Sequence, residues 1–222
     1  MNAETFTDVQ VRILGSLIEK EHTTPEYYPM TLNALRNACN QKSNRAPVMT
    51  LDDGQIRDAV FEMRKRNMVT EIHSDNARAA KYGHNLSALV HLQKSELAVM
   101  CILMLRGPQT LGEINSRTAR IYTFSGLAEV AQSLEQLKTT DVGPLVKELT
   151  RKPGQKEGRV THLLCGDPVG DMAQSSGISE VPSHDPRVSE DRIKELEQTV
   201  QGLKSDFDEL RKRFERFAEQ FQ

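Results

Sequence analysis

The chain has 222 residues, enough for two ordinary domains plus an appendage, with 37% hydrophobic and 27% charged residues and no Trp. That hydrophobic share lies below the usual ~45–50%, so part of the chain is expected outside any packed core. A near-balance of 29 basic and 31 acidic groups, net −2, excludes a chain that coats nucleic acid by bulk electrostatics, while leaving room for a local basic patch. The balance is uneven along the chain. Residues 1–92 carry 11 basic and 11 acidic groups, residues 93–166 carry 10 and 7, and residues 167–222 carry 8 and 13.

The first unit opens with Thr7-Asp8, a helix-cap pair, followed by Val9, Ile13, Leu14, Leu17 and Ile18 at helical spacing. Pro25 and Pro29 stop that helix. A short second helix capped by Thr31 has Leu32, Leu35 and Ala38 as its apolar face and ends near the polar loop Asn40-Gln41-Lys42-Ser43-Asn44-Arg45-Ala46-Pro47. A third starts at Asp52-Asp53, where carboxylates favour a helix N-terminus, and buries Ile56, Val60 and Met63. Strands are expected at Val69 to Ile72 and around Lys81-Tyr82-Gly83-His84. Three helices and a hairpin follow the order of a winged helix.

The order recurs. Ser95 to Leu105 is a strongly apolar helix stopped by Gly107-Pro108. Thr110 caps a short helix through Leu111, Ile114 and Thr118, and Ser125 caps a third that buries Leu127, Val130, Ala131, Leu134 and Leu137. Alternating stretches from Pro144 to Leu149 and from Arg159 to Leu164 make a hairpin with a basic tip. Residues 167–188 carry few large apolar groups and read as a flexible linker. Beyond it, Ile193, Leu196, Val200, Leu203, Phe207, Leu210, Phe214 and Phe217 recur at alternating spacings of three and four. That heptad stripe suits a self-associating coiled coil, a homodimer, or else a helix folded back on its own chain.

The predicted class is therefore mainly α with small β wings: a winged-helix domain at 1–92, a second at 93–166, a linker at 167–188 and a coiled-coil helix at 189–222. On the third helix of the first unit, Asp58 and Glu62 face outward beside Arg57 and Arg64, a mixed face that weakens it as a groove reader. The corresponding helix of the second unit exposes Glu129, Gln132, Ser133, Glu135 and Gln136, with no base before Lys138. Arg117, Arg120 and the wing bases Arg151, Lys152, Lys156 and Arg159 can form one positive surface for phosphates. In the loop before the third helix, Lys42, Asn44 and Arg45 either touch phosphate or fix the turn internally.

Six scattered His residues, no H-E-x-x-H, no G-x-S-x-G and no phosphate loop give no catalytic constellation. Cys39, Cys101 and Cys165 lack metal-site or disulfide spacing, so no cofactor or metal is expected and a reducing cytoplasm fits. The N-terminus has no signal-peptide profile and no apolar run is long enough to span a membrane. Two functions remain: a DNA-binding regulator, or a protein–protein adaptor that uses winged-helix surfaces without touching DNA.

Several strings strengthen the architecture. Glu19-Lys20, Thr23-Thr24-Pro25-Glu26-Tyr27-Tyr28-Pro29 and Ala38-Cys39-Asn40-Gln41-Lys42-Ser43-Asn44-Arg45-Ala46-Pro47-Val48-Met49 occur in the first half. Leu105-Arg106-Gly107-Pro108-Gln109-Thr110, Ser116-Arg117-Thr118-Ala119-Arg120-Ile121-Tyr122-Thr123-Phe124-Ser125, Glu129-Val130 and Leu134-Glu135-Gln136-Leu137 follow in the second. Together they resemble the YceH-like family of bacterial proteins of unknown function across residues 6–166. The resemblance implies two tandem winged helices, with a coiled-coil-like tail in many members, and no established activity. It also makes the loop from Gln41 to Arg45 a candidate binding site.

Overall fold

A computed structural model describes residues 5–73, 79–151, 155 and 157–167. The wing residues Lys152 and Lys156, the linker beyond Asp167 and the whole heptad stripe lie outside the described residues. What is described is mainly helical with two small antiparallel sheets.

Helix α1 (Asp8–Thr23) begins with a capping box. The Thr7 hydroxyl accepts from the Gln10 amide at 3.3 Å, and the Gln10 side chain accepts from the Thr7 amide at 2.9 Å. A single 3-10 turn at Pro25–Tyr27 leads into β1 (Met30–Thr31), and Thr31 caps α2 (Leu32–Cys39). Asp52 and Gln55 form the same kind of box at the start of α3 (Asp53–Lys65), which buries Ile56, Val60 and Met63 as its spacing predicts. Strands β2 (Val69–Ile72) and β3 (Lys81–His84) pair antiparallel, with β1 on the other edge of β3. The short strand and the small helix α4 (Leu86–Val90), closed by His91 at φ 55°, are absent from the sequence reading. Each is too short for periodicity to reveal.

The second half repeats the order. Helix α5 (Lys94–Arg106) ends at Gly107, whose φ of 71° suits glycine. Next come α6 (Leu111–Arg117) with a Thr110–Glu113 capping box, α7 (Leu127–Lys138), and the hairpin β4 (Val146–Leu149) and β5 (Arg159–His162). Even the edge strand has a counterpart. Gln109, just before α6, bridges antiparallel to Val160 of β5, as Met30 before α2 pairs with Tyr82 of β3. Three expectations need correction on α7. Gly126 occupies the cap, and Ser125 instead donates through its amide and hydroxyl to the Glu129 carboxylate at 2.7 and 2.8 Å. Leu127 is half exposed, because the helix starts beyond the edge of the core, whereas Ser133 is buried.

Helix α1 is buried continuously from Gln10 to Ile18, and α5 from Glu96 to Leu105. Helices buried on all sides belong in the middle of a core. Here α1 packs against α2 and α3 on one side and against α5 on the other, while α5 also carries α7 and β5. One continuous apolar cluster therefore runs from Phe6 through Ile56 and Leu103 to Val160.

The close approach needs Gly15. A Cβ there would stand 3.0 Å from the Leu105 side chain and 3.1 Å from that of Met104, and the Cys101 thiol donates to the Gly15 carbonyl at 3.4 Å. Gly15→Val is expected to lower unfolding stability by about 2 kcal/mol through overpacking, measured by urea denaturation. Gly112→Ala, where a Cβ meets nothing nearer than 4.0 Å, is expected to raise it by about 0.5 kcal/mol.

On β5, burial pushes the His162 imidazole down to about 4, opposed by Asp8, and its Nδ1 is buried without a partner. The folded chain thus resists protonation that the unfolded chain accepts below ~6.5. Stability is complete above ~6.5 and is lost as pH falls towards 4, by up to about 1.4 kcal/mol per pH unit from this group. Urea midpoints at pH 7 and 5 are expected to differ less in His162→Gln than in the parent.

Candidate functional site

The loop at 40–47 is built as a rigid clasp. Asn40 closes its base with a reciprocal pair, its Nδ2 donating to the Leu51 carbonyl and its Oδ1 accepting from the Leu51 amide, both at 2.8 Å. Arg45, 5% exposed, fills the centre. Its guanidinium donates to both Glu19 carboxylate oxygens at 3.1 and 2.6 Å, to the Ala38 carbonyl at 3.1 and 3.0 Å, and to Gln41 Oε1 at 2.9 Å. Beside it the buried Arg12 donates to the carbonyls of Cys39 at 3.2 Å and Pro47 at 2.6 Å. Burial first, and then the Arg45 charge, push the Arg12 pKa down. Of the two roles the sequence leaves open for Arg45, phosphate contact or internal fixing of the turn, the fold gives it the internal one, because each of its donating nitrogens has an acceptor inside the fold.

The clasp also grips the second half. The Ala46 amide donates to the Leu105 carbonyl at 2.8 Å, and Asn44, held at φ 61°, accepts from Arg106 through its side chain. Asn tolerates this left-handed conformation better than most residues. Residues 41–44 consequently form one wall of a cleft of about 680 Å3, with the end of α5 and the α6 region as the opposite wall.

Five cations line this cleft: Lys20, Lys42, Arg106, Arg117 and Arg120. The lining carboxylate, Glu19, is already shared between Arg45 and, at 3.6 Å, Lys20. Lys42 and Arg120 are exposed on the rim, and among the described residues neither forms an ion pair. Lys20 and Arg117 are recessed, with side chains 19% and 33% exposed. Arg117 donates to Gln109 Oε1 and stands 3.4 Å from Glu113. Burial, followed by repulsion from Arg117, pushes the Arg106 pKa down, with Glu19 and Glu113 opposing. Ser43 and Ser116 add hydroxyls, and Ile102, Leu105 and Ile121 make a small apolar floor.

Of the common basic surface expected from Arg117, Arg120 and the wing bases, Arg117 and Arg120 line this cleft together with Lys42 and Asn44, whereas Arg151 and Arg159 do not and Lys152 and Lys156 lie outside the described residues. Other candidates stand elsewhere or are engaged. Arg64 pairs with Glu71 on β2, and Arg159 donates to Glu113 at 2.9 Å and to the Pro108 carbonyl at 3.0 Å. Arg57 is exposed on α3 and Arg151 beside the hairpin loop. Lys20 and Arg106 were missed. Both stand in strings that resemble the family, Glu19-Lys20 and the run from Leu105 to Thr110, and that shared membership was the available signal.

Several outward charges of α3 and α7 are already paired. On α3, Lys65 is tied to Glu62 at 2.8 Å and lies 4.3 Å from the Phe61 ring centre, and Arg36 holds Asp53 at 2.9 Å. On α7, Lys138 is held by Glu135 and Glu148, both at 2.7 Å. Burial pushes the Cys39 and Cys165 thiols up to about 11, and the Cys101 thiol up as well, so each stays protonated at neutral pH. Among the described residues no three His, Cys, Asp or Glu side chains gather to hold a metal, and no helix is long and apolar enough to cross a membrane.

The different duties of neighbouring cations are measurable. Arg45→Met is expected to cost about 3 kcal/mol, since it strands the partly buried Glu19 carboxylate. Lys42→Ala is expected to stay within about 0.5 kcal/mol of the parent. Urea unfolding of both variants checks the contrast.

Comparisons with known proteins agree with the strings that line the cleft. The family model described as a protein of unknown function, DUF480, matches residues 6–155. A UPF0502 protein of Pelobacter propionicus is 44% identical over 98% of both chains. One from Aliivibrio salmonicida is 40% identical over 92% of this chain and 95% of its own, and one from Solibacter usitatus is 44% identical over 93% and 96%. With the model spanning the clasp, the cleft and both three-helix sets, the chain belongs to the DUF480 family, whose curated relatives carry the name UPF0502.

Proposed function

We propose that this chain is a non-enzymatic tandem winged-helix protein that binds duplex DNA mainly through the phosphate backbone, in the manner of a transcriptional regulator. The repeated order of three helices and a hairpin supports the winged-helix reading, with α3 and α7 in the recognition positions. The observation that carries DNA binding is the gathering of five cations on one cleft against a single committed carboxylate. Phosphate contacts position a protein without reading bases, which suits helices several of whose outward charges are already paired. The heptad stripe from Ile193 to Phe217 supports a homodimer on sequence grounds, and two copies would double the phosphate contacts.

A second reading, a protein–protein adaptor, draws on Phe61 of α3 and Leu127 of α7. These are 53% and 51% exposed on the faces that would otherwise approach bases.

The discriminating measurement is fluorescence anisotropy of a labelled duplex across a salt series. Binding at low salt is expected to weaken as salt rises, and Lys42→Glu with Arg120→Glu is expected to lower the log–log slope by ~0.9 for each lost contact. Absence of binding at low salt, or indifference to that double reversal, would sink the DNA reading and leave the adaptor.

A further inference from the structure

The recessed part of the cleft asks for a different ligand from its rim. Its volume, about 680 Å3, falls within the ~300–1,000 Å3 typical of small-molecule sites. A duplex backbone can rest on the exposed Lys42 and Arg120, but Lys20 and Arg117 sit further in, with side chains only 19% and 33% exposed. Arg106 spends its contact on the neutral Asn44 amide, and Arg117 spends its closest one on the neutral Gln109 amide. Of the two carboxylates nearby, Glu19 is shared by Arg45 and, at 3.6 Å, Lys20, and Glu113 by Arg159, the Thr110 amide and, at 3.4 Å, Arg117, so two carboxylates are divided among more cations than they can neutralise. Half-buried guanidinium groups without full anionic partners are suited to a phosphate, which accepts their paired N–H groups bidentately.

The rest of the lining narrows the class. Ser43, Ser116, Thr23 and Gln41 offer hydroxyl and amide groups, and no aromatic residue lines the cleft to stack a base. We propose that the recess between the 41–44 wall and the α6 region binds a small phosphate ester bearing hydroxyl groups, held by Arg106, Arg117 and Lys20. The same phosphate chemistry could reach the recess from a DNA backbone, so the test separates the two sources. The site does not depend on DNA binding, since its cations lie inside the rim residues assigned to the duplex.

Inorganic pyrophosphate titrated calorimetrically into the full chain, in phosphate-free buffer, is the probe. Saturable binding with Kd below about 1 mM is expected. Arg117→Gln should weaken it at least about tenfold, and Arg57→Gln should leave it unchanged. Ala119→Glu, which adds a carboxylate at an exposed lining position without removing a side-chain contact, should weaken it similarly and guards against misfolding of the Arg117 variant. Duplex binding at low salt should largely survive Arg117→Gln. The proposal is overturned if no saturable binding occurs up to about 10 mM, if Arg57→Gln is as damaging as Ala119→Glu, or if Arg117→Gln weakens duplex and pyrophosphate in equal proportion. Pyrophosphate binding without duplex binding would refute the DNA reading alone.

Discussion

Everything in the described part of the chain hangs on the packing of α1 against α5. Neither three-helix set shows a self-sufficient core with a polar exterior, because each donates its longest helix to the other. Burying such helices from both sides supplies the large apolar area that folding requires, and it fuses the two halves into one cohesive body. Polar residues buried on α1, Arg12 and Ser16, are costs of the arrangement, and Arg12 is compensated in part by the carbonyls of Cys39 and Pro47, its Nε remaining without a partner.

The clasp at 40–47 follows from the same seam. Placing α2 beside α1 brings Glu19 under the loop, and the loop then needs a long cation to satisfy Glu19 and the open carbonyl of Ala38. Arg45 meets both with one planar fork, as a lysine cannot. Once pinned, the loop reaches α5 through Ala46 and Arg106 through Asn44, and its exposed side chains are held against the opposite wall. The cleft is thus a product of packing between halves, with its polar lining recruited from segments far apart in the chain.

Much of the fold was legible because its determinants are local. Thr7, Thr31, Asp52 and Thr110 each cap the helix that their position announces, and the stripes Ile56–Val60–Met63 and Val130–Leu134–Leu137 face inward as periodicity requires. Ser125 misled because Ser is an apt cap anywhere near a helix start, and a carboxylate four residues on captured it. The all-round burial of α1 and α5 was not legible, since a single helix's pattern says nothing about a second partner. The site divided along the same line. Lys42, Arg117 and Arg120 stood out as bases in polar strings, whereas the internal role of Arg45 and the presence of Lys20 and Arg106 depend on which segments meet in space.

Gly15 shows how far one missing side chain can act. The atoms it leaves room for are those of Leu105, whose carbonyl holds the clasp and whose side chain forms the cleft floor. The spacing of two helices deep in the core is therefore also the gauge of the opening above them. Any change that pries the halves apart would widen the cleft as well, so in this protein the cohesion of the halves and the width of the opening are two readings of a single distance.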